Sequence, residues 1–450
     1  MISAVHPINH KVVMPIRNLL PSTFIFCLVI LACCTPASLC RARQVIDIDI
    51  TDATIKKINF AVPYFVDKNK PEQVHEVGQS MADLLARGLE FHGFINIIAP
   101  EEYGGGQEQN WRMLGADYAV LGKYVNEGAR LVLELRLIET NSGRMLMGKR
   151  FRDTWPKKRQ MILKFCDEVI YKITGKQGIS SSEIAFVSDG TGHKEIYLAD
   201  ALGDDIRQVT RHGHLAITPR LSPDNSKLTY TSYHKGNANL YLVDFKKSSH
   251  LTRAISRRKG INYAPAWAPD SSYLVVTLSK DGNPDLYKMR LDGTIIKRLT
   301  VNAGINVSPT FSPDGSQIAF VSDRSGDPQI YTMDLDGNRT KRLTYQGNEN
   351  TTPSWSPDGE WITYTGRGDD GYQIYKIKAA GGTPIQLTAS WGSHESPTWS
   401  PDSRQIAFTR TRNGESRLCT ITSDGQWLRQ LFVLNGNQTS PQWSQRLNFY

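Results

Sequence analysis

Cysteine is scarce over most of this chain. Of the six cysteines in 450 residues, four lie within the first 42 positions, at Cys27, Cys33, Cys34 and Cys40. The other two, Cys166 and Cys419, fall in a predicted helix and a predicted strand that are far apart along the chain. A fold that depends on a framework of disulfide bonds is therefore excluded, even in an oxidising compartment.

Acidic residues are missing from the N-terminal segment, where the first one is Asp47. The preceding stretch contains two basic residues, an apolar run over residues 19–34, and then small residues followed by Arg41-Ala42-Arg43. This order is typical of a secretory signal peptide, so we predict that residues 1–42 are removed on export.

The apolar run is too short for a stable membrane span. Its core covers residues 24–32, and Pro21 interrupts its beginning, whereas a spanning helix needs about 20 apolar residues. Residues 30–33 (Ile-Leu-Ala-Cys) resemble a lipobox. Lipidation of Cys33 therefore stays open as an alternative to a cleaved and soluble chain.

A strong excess of charge of one sign is also missing. The formal net charge is +9, and removal of residues 1–42 takes away three cations and no anion, which lowers it to +6. The densest basic run, Arg257-Arg258-Lys259, is typical of a solvated loop. Because nucleic-acid binding needs a clustered basic stripe, no nucleic-acid partner is predicted.

Catalytic and cofactor motifs are missing as well. The chain has no G-x-S-x-G elbow, and Gly104-Gly105-Gly106 lacks the following lysine of a phosphate loop. His212-Gly213-His214 offers two metal ligands without a third. The repeated aspartates described below are interpreted as turn residues that bind nearby backbone amides. We therefore predict no enzyme activity and no catalytic, cofactor-binding or metal-binding residue.

The sequence does contain an internal repeat. Its motif is Pro-x-aromatic-Ser-Pro-Asp or a close variant, with the second proline at positions 223, 269, 313, 357 and 401. A sixth copy begins at residues 441–444 and then departs from the motif. A repeat with this spacing is typical of propellers and related arrays.

Each repeat predicts four β-strands. In one example, the first strand carries Phe311, residues 317–322 alternate like a second strand, Ile330-Tyr331 marks a third and Arg342-Leu343-Thr344 a fourth. A unit of about 44 residues buries its two faces only by stacking radially on its neighbours. The second and third strands each occur six times, which predicts a six-bladed β-propeller over residues 176–450.

The phase of the repeat predicts how the ring closes. The first repeat, which starts at Glu183, lacks its opening strand, whereas residues 441–444 form an opening strand with no repeat after it. We predict that this C-terminal strand completes the blade begun at Ile184.

Residues 43–175 lack the repeat and predict a small α/β domain. Helical spacing of apolar residues appears over residues 74–89 and again over residues 161–173, after Pro156. A further short helix is predicted at residues 107–114. The predicted strands cover residues 57–65, 94–98, 118–125, 130–139 and 144–152.

This combination resembles the TolB family, the periplasmic component of the Tol–Pal system of Gram-negative bacteria. The resemblance covers residues 43–450, and residues 45–48 and 58–63 are similar to the family's mature N-terminus and first strand. It implies a non-catalytic periplasmic scaffold, peripheral to the outer membrane, that supports outer-membrane integrity and cell division and that colicins exploit.

The resemblance also implies partners. The family binds the lipoprotein Pal on one face of the propeller, where the loops before each opening strand meet. Other outer-membrane proteins are a further expectation. The candidate Pal-binding residues are Ile261, Asn262, Tyr263, Asn306, Val307, Asn350, Thr351, His394, Glu395 and Gln438. We expect Asn262, Asn306 and His394 to contact Pal directly.

The second implied partner is TolA, which the family recruits through its N-terminal arm. The candidate residues are Gln44, Val45, Ile46, Asp47, Ile48, Asp49 and Ile50. Their alternation of apolar and acidic side chains is typical of a strand that adds to a partner's sheet. The alternative is that they form the first strand of the α/β domain.

The sequence leaves two other classes of function open. One is a propeller hydrolase or lyase with its site over the central channel, and the other is a propeller that binds a sugar or lipid. An enzyme would need clustered His, Asp and Glu at equivalent loop positions. The loops instead carry a mostly neutral, amide-rich set: Ile217, Asn262, Asn306, Asn350, Glu395 and Gln438.

Overall fold

The computed structural model describes residues 57–445 except Val74, residues 248–250, Asn302 and Asp370. Its first part is an α/β unit of six strands and two helices. These are β1 (Ile58–Ala61), β2 (Val66–Asp67), α1 (Glu76–Glu90), β3 (Ile95–Ile98), β4 (Tyr118–Glu127), β5 (Arg130–Glu139), β6 (Arg144–Thr154) and α2 (Lys158–Thr174), with 3-10 turns at Pro100–Glu102 and Trp155–Lys157.

The sheet of this unit has the order β3-β1-β4-β5-β6, with β2 paired to β4. Strands β4 to β6 form the predicted antiparallel meander, whereas β1 lies parallel to both β3 and β4. Helices α1 and α2 pack together through apolar faces that include Leu85 and Phe165. Gly88 lets the helices approach closely, because a Cβ atom there would lie 2.8 Å from the Cys166 sulfur.

The helix predicted at residues 107–114 is wrong. This segment forms turns, in which the Met113 N–H donates to the Asn110 carbonyl and the chain reverses at Gly115 in the left-handed region. Trp111 is buried beside Tyr103. A single helical turn has a costly nucleus and few hydrogen bonds, so burial of one aromatic side chain decides the conformation.

The second part of the chain forms six four-stranded antiparallel sheets. In chain order its strands are β7 (Glu183–Ser188), β8 (Glu195–Asp200), β9 (Ile206–Gln208), β10 (Ala216–Leu221), β11 (Lys227–Ser232), β12 (Asn239–Asp244), β13 (Leu251–Ser256), β14 (Asn262–Trp267), β15 (Tyr273–Leu278), β16 (Asp285–Arg290), β17 (Ile295–Arg298), β18 (Asn306–Phe311), β19 (Gln317–Ser322), β20 (Gln329–Asp334), β21 (Lys341–Arg342), β22 (Asn350–Trp355), β23 (Trp361–Gly368), β24 (Gly371–Lys378), β25 (Ile385–Gln386), β26 (Ser393–Trp399), β27 (Gln405–Arg412), β28 (Glu415–Thr422), β29 (Leu428–Gln430) and β30 (Gln438–Trp443).

Blades one to five each use four consecutive strands, beginning with β10, β14, β18, β22 and β26. Blade six has the order β30-β7-β8-β9 and combines the last described strand with the first three strands of the propeller. In this pairing Trp443 lies opposite Ile184, and Gln438 lies opposite Ser188. The two fragments that the repeat phase left incomplete thus lie in one sheet, and the six-bladed fold is confirmed.

The opening strand of each blade, called the inner strand below, has a bulge at its proline. The ladder skips two residues of the inner strand against one on its neighbour, as between Ile217 and Arg220. Proline lacks an N–H for the ladder, so a bulge accommodates it. The residue before each proline has a positive φ of 46° to 57°, at Thr218, Ala264, Ser308, Thr352, Ser396 and Ser440.

The α/β unit packs at the end of the propeller that carries the Ser-Pro-Asp turns. The Phe91 carbonyl accepts hydrogen bonds from Gln405 Nε2 at 2.9 Å and from Arg429 Nη2 at 2.8 Å. Gln405 follows the turn that ends the inner strand of blade five. The loops that precede the inner strands therefore lie at the opposite end and stay clear of the α/β unit.

Candidate functional site

The end of the propeller opposite the α/β unit, called the loop face below, is formed by the segments that lead into the inner strands. Each segment follows a Leu-Thr pair or its equivalent and ends at the first residue of an inner strand. The sequence-predicted Pal residues Ile261, Val307 and Thr351 all lie in or beside these segments. The repeat thus brings the propeller candidates together on one face.

A buried hydrogen-bond network fixes each loop. Between blades two and three, Thr300 Oγ1 donates to Asp285 Oδ1 at 2.5 Å, and Asn306 Nδ2 donates to the same oxygen at 3.0 Å. The Arg298 guanidinium pairs with the other oxygen of Asp285 at 2.5 Å. Arg324 Nη2 donates to Asn306 Oδ1 at 2.8 Å. Both carboxylate oxygens of Asp285 thus have polar partners, which offset the cost of burying a residue that is only 1% exposed.

Other blades repeat this network with amides. Between blades three and four, Gln329 Oε1 accepts from Thr344 Oγ1 at 2.7 Å and from Asn350 Nδ2 at 2.9 Å. In blade four Thr388 Oγ1 donates to Gln373 Oε1 at 2.8 Å. The threonine of the Leu-Thr motif is therefore a loop anchor, which explains why it recurs in the repeat.

The structure places Asn262, Asn306 and His394, which are predicted to contact Pal, beneath the surface of the loop face. The side chains of Asn262, Asn306 and His394 are each 0% exposed. Asn262 Nδ2 donates to the Ala238 and Arg258 carbonyls at 2.9 and 2.8 Å, and burial lowers the pKa of His394 to about 4. The two asparagine side chains hold their loops in place, because an inward amide satisfies backbone carbonyls that the loop would otherwise bury unpaired.

The remaining candidates differ in exposure. Ile261 is 41% exposed, whereas the other six are half-buried or buried. Tyr263, Val307, Thr351 and Glu395 are half-buried, and Asn350 and Gln438 are buried beneath them.

A set of exposed apolar side chains lies on the loop face, and of these only Ile261 is among the residues predicted from the sequence. The set is called the apolar rim below and consists of Leu215, Ile261, Val301, Ile305, Tyr345, Trp391 and Val433. Trp391 is 60% exposed and Tyr345 is 70% exposed. Large apolar residues grouped on one face indicate a protein-binding surface. The sequence does contain a signal for the apolar rim. A large apolar residue lies within three positions of Gly304, Gly347, Gly392 and Gly436, where loops are expected to be polar.

The sequence candidates for metal binding lie on the same face. His212 stacks on His234, with 4.3 Å between ring centroids, and its Nε2 lies 2.7 Å from the Tyr230 hydroxyl. His214 contacts the His212 carbonyl through Nδ1. No group of three potential metal ligands occurs in the part of the chain that the structure describes. The histidines are thus engaged in ring stacking and hydrogen bonds.

The repeated aspartates lie in the Ser-Pro-Asp turns at the other end. Asp314 accepts hydrogen bonds from the Ser312 hydroxyl at 2.6 Å and from the Ser316 N–H at 3.0 Å. These hydrogen bonds hold the pKa of Asp314 at about 2. In the structure, this aspartate therefore stabilises its turn as an ordinary capping carboxylate.

The candidate TolA residues 44–50 lie outside the described residues. Among the described residues, no helix is long and apolar enough to cross a membrane.

A substitution tests the loop anchors. Asn306→Ala is expected to lower the free energy of unfolding by about 1–3 kcal/mol, because it leaves buried groups of Asp285 and the loop backbone without partners. Urea denaturation measures this loss. Asn338→Ala, at an exposed turn of the same blade, is the matched control and should stay within about 0.5 kcal/mol of wild type. Equal stability of both variants would show that the anchor does not hold the loop.

Two family models match the α/β unit and the propeller separately. Residues 46–146 match the TolB amino-terminal domain, and residues 170–447 match the TolB beta propeller domain. The crystal structure of TolB from Acinetobacter baumannii superposes with a TM-score of 0.77 at 24% identity, covering 87% of this chain and 97% of that one. This likeness supports the two-part fold.

Similar curated proteins include the Tol-Pal system protein TolB of Desulfotalea psychrophila, which is 43% identical over 217 residues, or 48% of this chain and 49% of that protein. The protein of the same name from Desulfosudis oleivorans is 39% identical over 281 residues, or 59% of this chain and 62% of that protein. The alignments thus span about half to three fifths of these relatives. Because the propeller match alone covers more than half of the chain, this protein belongs to the TolB family.

Proposed function

We propose that this protein is a non-catalytic scaffold of a Tol–Pal system, located in the periplasm at the outer membrane, where it supports envelope integrity and cell division. The relatives' shared name, Tol-Pal system protein TolB, supports the assignment. We also propose the domain limits 1–42 for a signal peptide, 43–175 for the α/β domain and 176–450 for the propeller.

The propeller is proposed to bind Pal through its loop face. The observation that carries this proposal is the apolar rim, which lies on the end of the propeller that the α/β unit leaves free. Protein interfaces combine an apolar centre with a polar surround. Here Trp391, Tyr345 and Ile261 supply exposed apolar area, while Arg257, Lys259 and other exposed charged residues surround it. The buried amides contribute by keeping the loops rigid, which lowers the entropic cost of binding.

Substitution of the apolar rim tests this site. Ile261→Asp and Trp391→Ala are each expected to weaken Pal binding by more than about 1 kcal/mol, since large apolar side chains dominate interface energies. Surface plasmon resonance with purified Pal measures the change. Ile296 is 46% exposed on the outer strand β17, so Ile296→Asp is a matched control that should bind like wild type. Wild-type affinity in both rim variants would move the site away from the loop face.

The N-terminal arm is proposed to recruit TolA. Residues 44–50 alternate Val45, Ile46, Ile48 and Ile50 with Asp47 and Asp49, and such a segment can add a strand to a partner's sheet edge. Deletion of residues 43–52 is expected to abolish TolA capture while Pal binding persists. A pull-down with purified TolA and Pal measures both. Full TolA capture by the truncated chain would assign recruitment to the body of the protein.

An enzymatic role receives less support. The half-buried Glu395, whose pKa is raised by burial and by Glu349, lies at the loop face, and no group of three potential metal ligands occurs among the described residues. Capture of Pal from a periplasmic extract by the wild-type chain, against a chain carrying both rim substitutions, is the most direct test of the scaffold role.

A further inference from the structure

The central channel of the propeller contains a cavity of about 800 Å³. Its wall is built from the inner strands, so each blade contributes equivalent positions. The residue that follows the inner-strand proline lines the cavity in every blade, as Arg220, Ala266, Thr310, Ser354, Thr398 and Gln442. Five of these six residues are uncharged, and Arg220 breaks the pattern.

Arg220 is a cation for which the described residues supply no anionic partner. It is the charged residue among those that line the cavity, and no described carboxylate pairs with it. Its guanidinium donates a hydrogen bond from Nη1 to the neighbouring Pro219 carbonyl at 2.9 Å. Arg220 is half-buried in the cavity wall, and this burial lowers the pKa of its guanidinium. An enclosed charge without a partner is costly.

The rest of the wall supplies neutral polar groups. Thr398 Oγ1 accepts a hydrogen bond from the Trp443 N–H at 3.2 Å, so its own proton is available to another acceptor. Thr310 and Ser354 add hydroxyls at the same level, and Tyr263 lines the cavity close enough to Arg220 for the guanidinium to lower the pKa of its phenol against the effect of burial. Among the described residues, the wall thus combines one guanidinium with several hydroxyls and no carboxylate.

We propose that the channel binds a small oxyanion, a phosphate or a carboxylate, at Arg220. A guanidinium presents a planar fork of donors that matches two oxygens of either group, and such charge-assisted pairs are the strong ones. Surrounding hydroxyls can donate to the remaining oxygens. The inner strands of six blades surround the cavity, and Gln177, between α2 and β7, also lines it, so its size suits a small ligand.

The test is calorimetric titration of the full chain with inorganic phosphate and, separately, with succinate. These two probes distinguish a phosphate site from a carboxylate site. The wild-type protein is expected to bind at least one of them, and Arg220→Gln is expected to weaken that binding at least tenfold. Arg220→Lys keeps the positive charge but loses the planar set of donors, so its affinity should lie between those of wild type and Arg220→Gln. Arg257→Gln, which removes one exposed cation from a loop, is the charge-matched control and should bind like wild type.

Two results would overturn the proposal: no binding of either probe at millimolar concentration, or equal affinity in wild type and Arg220→Gln. A second measurement uses only the wild-type protein, so it does not depend on the folding of Arg220→Gln. Crystals of the wild-type protein soaked in selenate, a phosphate-like anion, should show an anomalous peak within hydrogen-bond distance of the Arg220 guanidinium. An empty channel in such crystals would contradict the assignment.

Discussion

A chain that ends before Pro441 is expected to lose the single cooperative unfolding transition of the intact protein and to aggregate. The deletion removes most of β30, whose Trp443 is 3% exposed, donates from Nε1 to Ser182 Oγ at 2.7 Å and lies 6.1 Å from the Phe91 ring. Loss of one buried tryptophan costs about 3–5 kcal/mol. The newly open edge of β7 also provides a template for association between chains.

Thermal unfolding followed by circular dichroism, together with light scattering, measures this effect. The matched control ends at Gln445. It keeps β30, the hydrogen bond from the Ser444 N–H to the Glu183 carbonyl and the bond from Asn225 Nδ2 to the Gln445 carbonyl, so it is expected to unfold like the intact chain. A cooperative transition at an unchanged temperature in the shorter chain would mean that blade six is stable without its inner strand.

The ring could be predicted because the repeat is encoded in residues that determine local structure. A proline recurs in all six inner strands, an aspartate in five of the six turns and a tyrosine in five of the six third strands. A four-stranded unit without a partner cannot bury both faces. The number of blades then follows from counting. The α/β unit depended on weaker signals, and residues 107–114 show the consequence, since one buried Trp111 outweighs the helical pattern.

The sequence predicted which end of the propeller carries the candidate site, but not which side chains of that end are exposed. An asparagine in a glycine-rich loop is equally suited to contact a partner or to bind backbone carbonyls, and the choice at Asn306 depends on Asp285, which is 21 residues away. The positive φ before each proline could not be predicted either, because a residue before proline favours extended conformations. It depends on the bulge that the neighbouring strand imposes.

The apolar rim illustrates the opposite difficulty. Val301 and Tyr345 follow the Leu-Thr anchor directly, where an apolar residue would ordinarily extend the strand into the core. Because the anchor threonine turns the chain outward, both side chains reach solvent. Exposure at these positions is thus a property of the assembled ring.

Acidification is expected to destabilise the junction between the α/β unit and the propeller, through His92. This histidine is 2% exposed, and burial lowers its pKa to about 4. Its Nδ1 lies 3.1 Å from the Gly88 carbonyl, while its Nε2 accepts a hydrogen bond from the Ile179 N–H at 3.0 Å. This arrangement requires the neutral ring with its proton on Nδ1. A second proton, on Nε2, would point at the Ile179 N–H and break the contact that fixes the linker.

The sign and size of the effect follow from the shift. The pKa is about 4 in the folded protein and about 6.5 in the unfolded chain, so the unfolded chain binds the proton more tightly. The contribution of neutral His92 to the free energy of unfolding is therefore fully present above pH 6.5 and decreases as the pH drops toward 4. Nearby Asp402 raises the pKa of His92 and Arg404 lowers it, so these two charges oppose one another. One pKa unit corresponds to about 1.4 kcal/mol, which gives a loss of about 2 kcal/mol between pH 7 and pH 5.

Urea denaturation at pH 7 and at pH 5 measures this loss. His92→Gln keeps a side chain that can accept from Ile179 and does not titrate, so its stability should be lower than wild type at pH 7 but should change by less than half as much between the two values. His193, an exposed histidine in the turn between β7 and β8, provides the matched control, and His193→Gln should show the full wild-type pH dependence. If wild type and His92→Gln lose the same stability on acidification, then other groups carry the pH response, and the junction is not sensitive to protonation of His92.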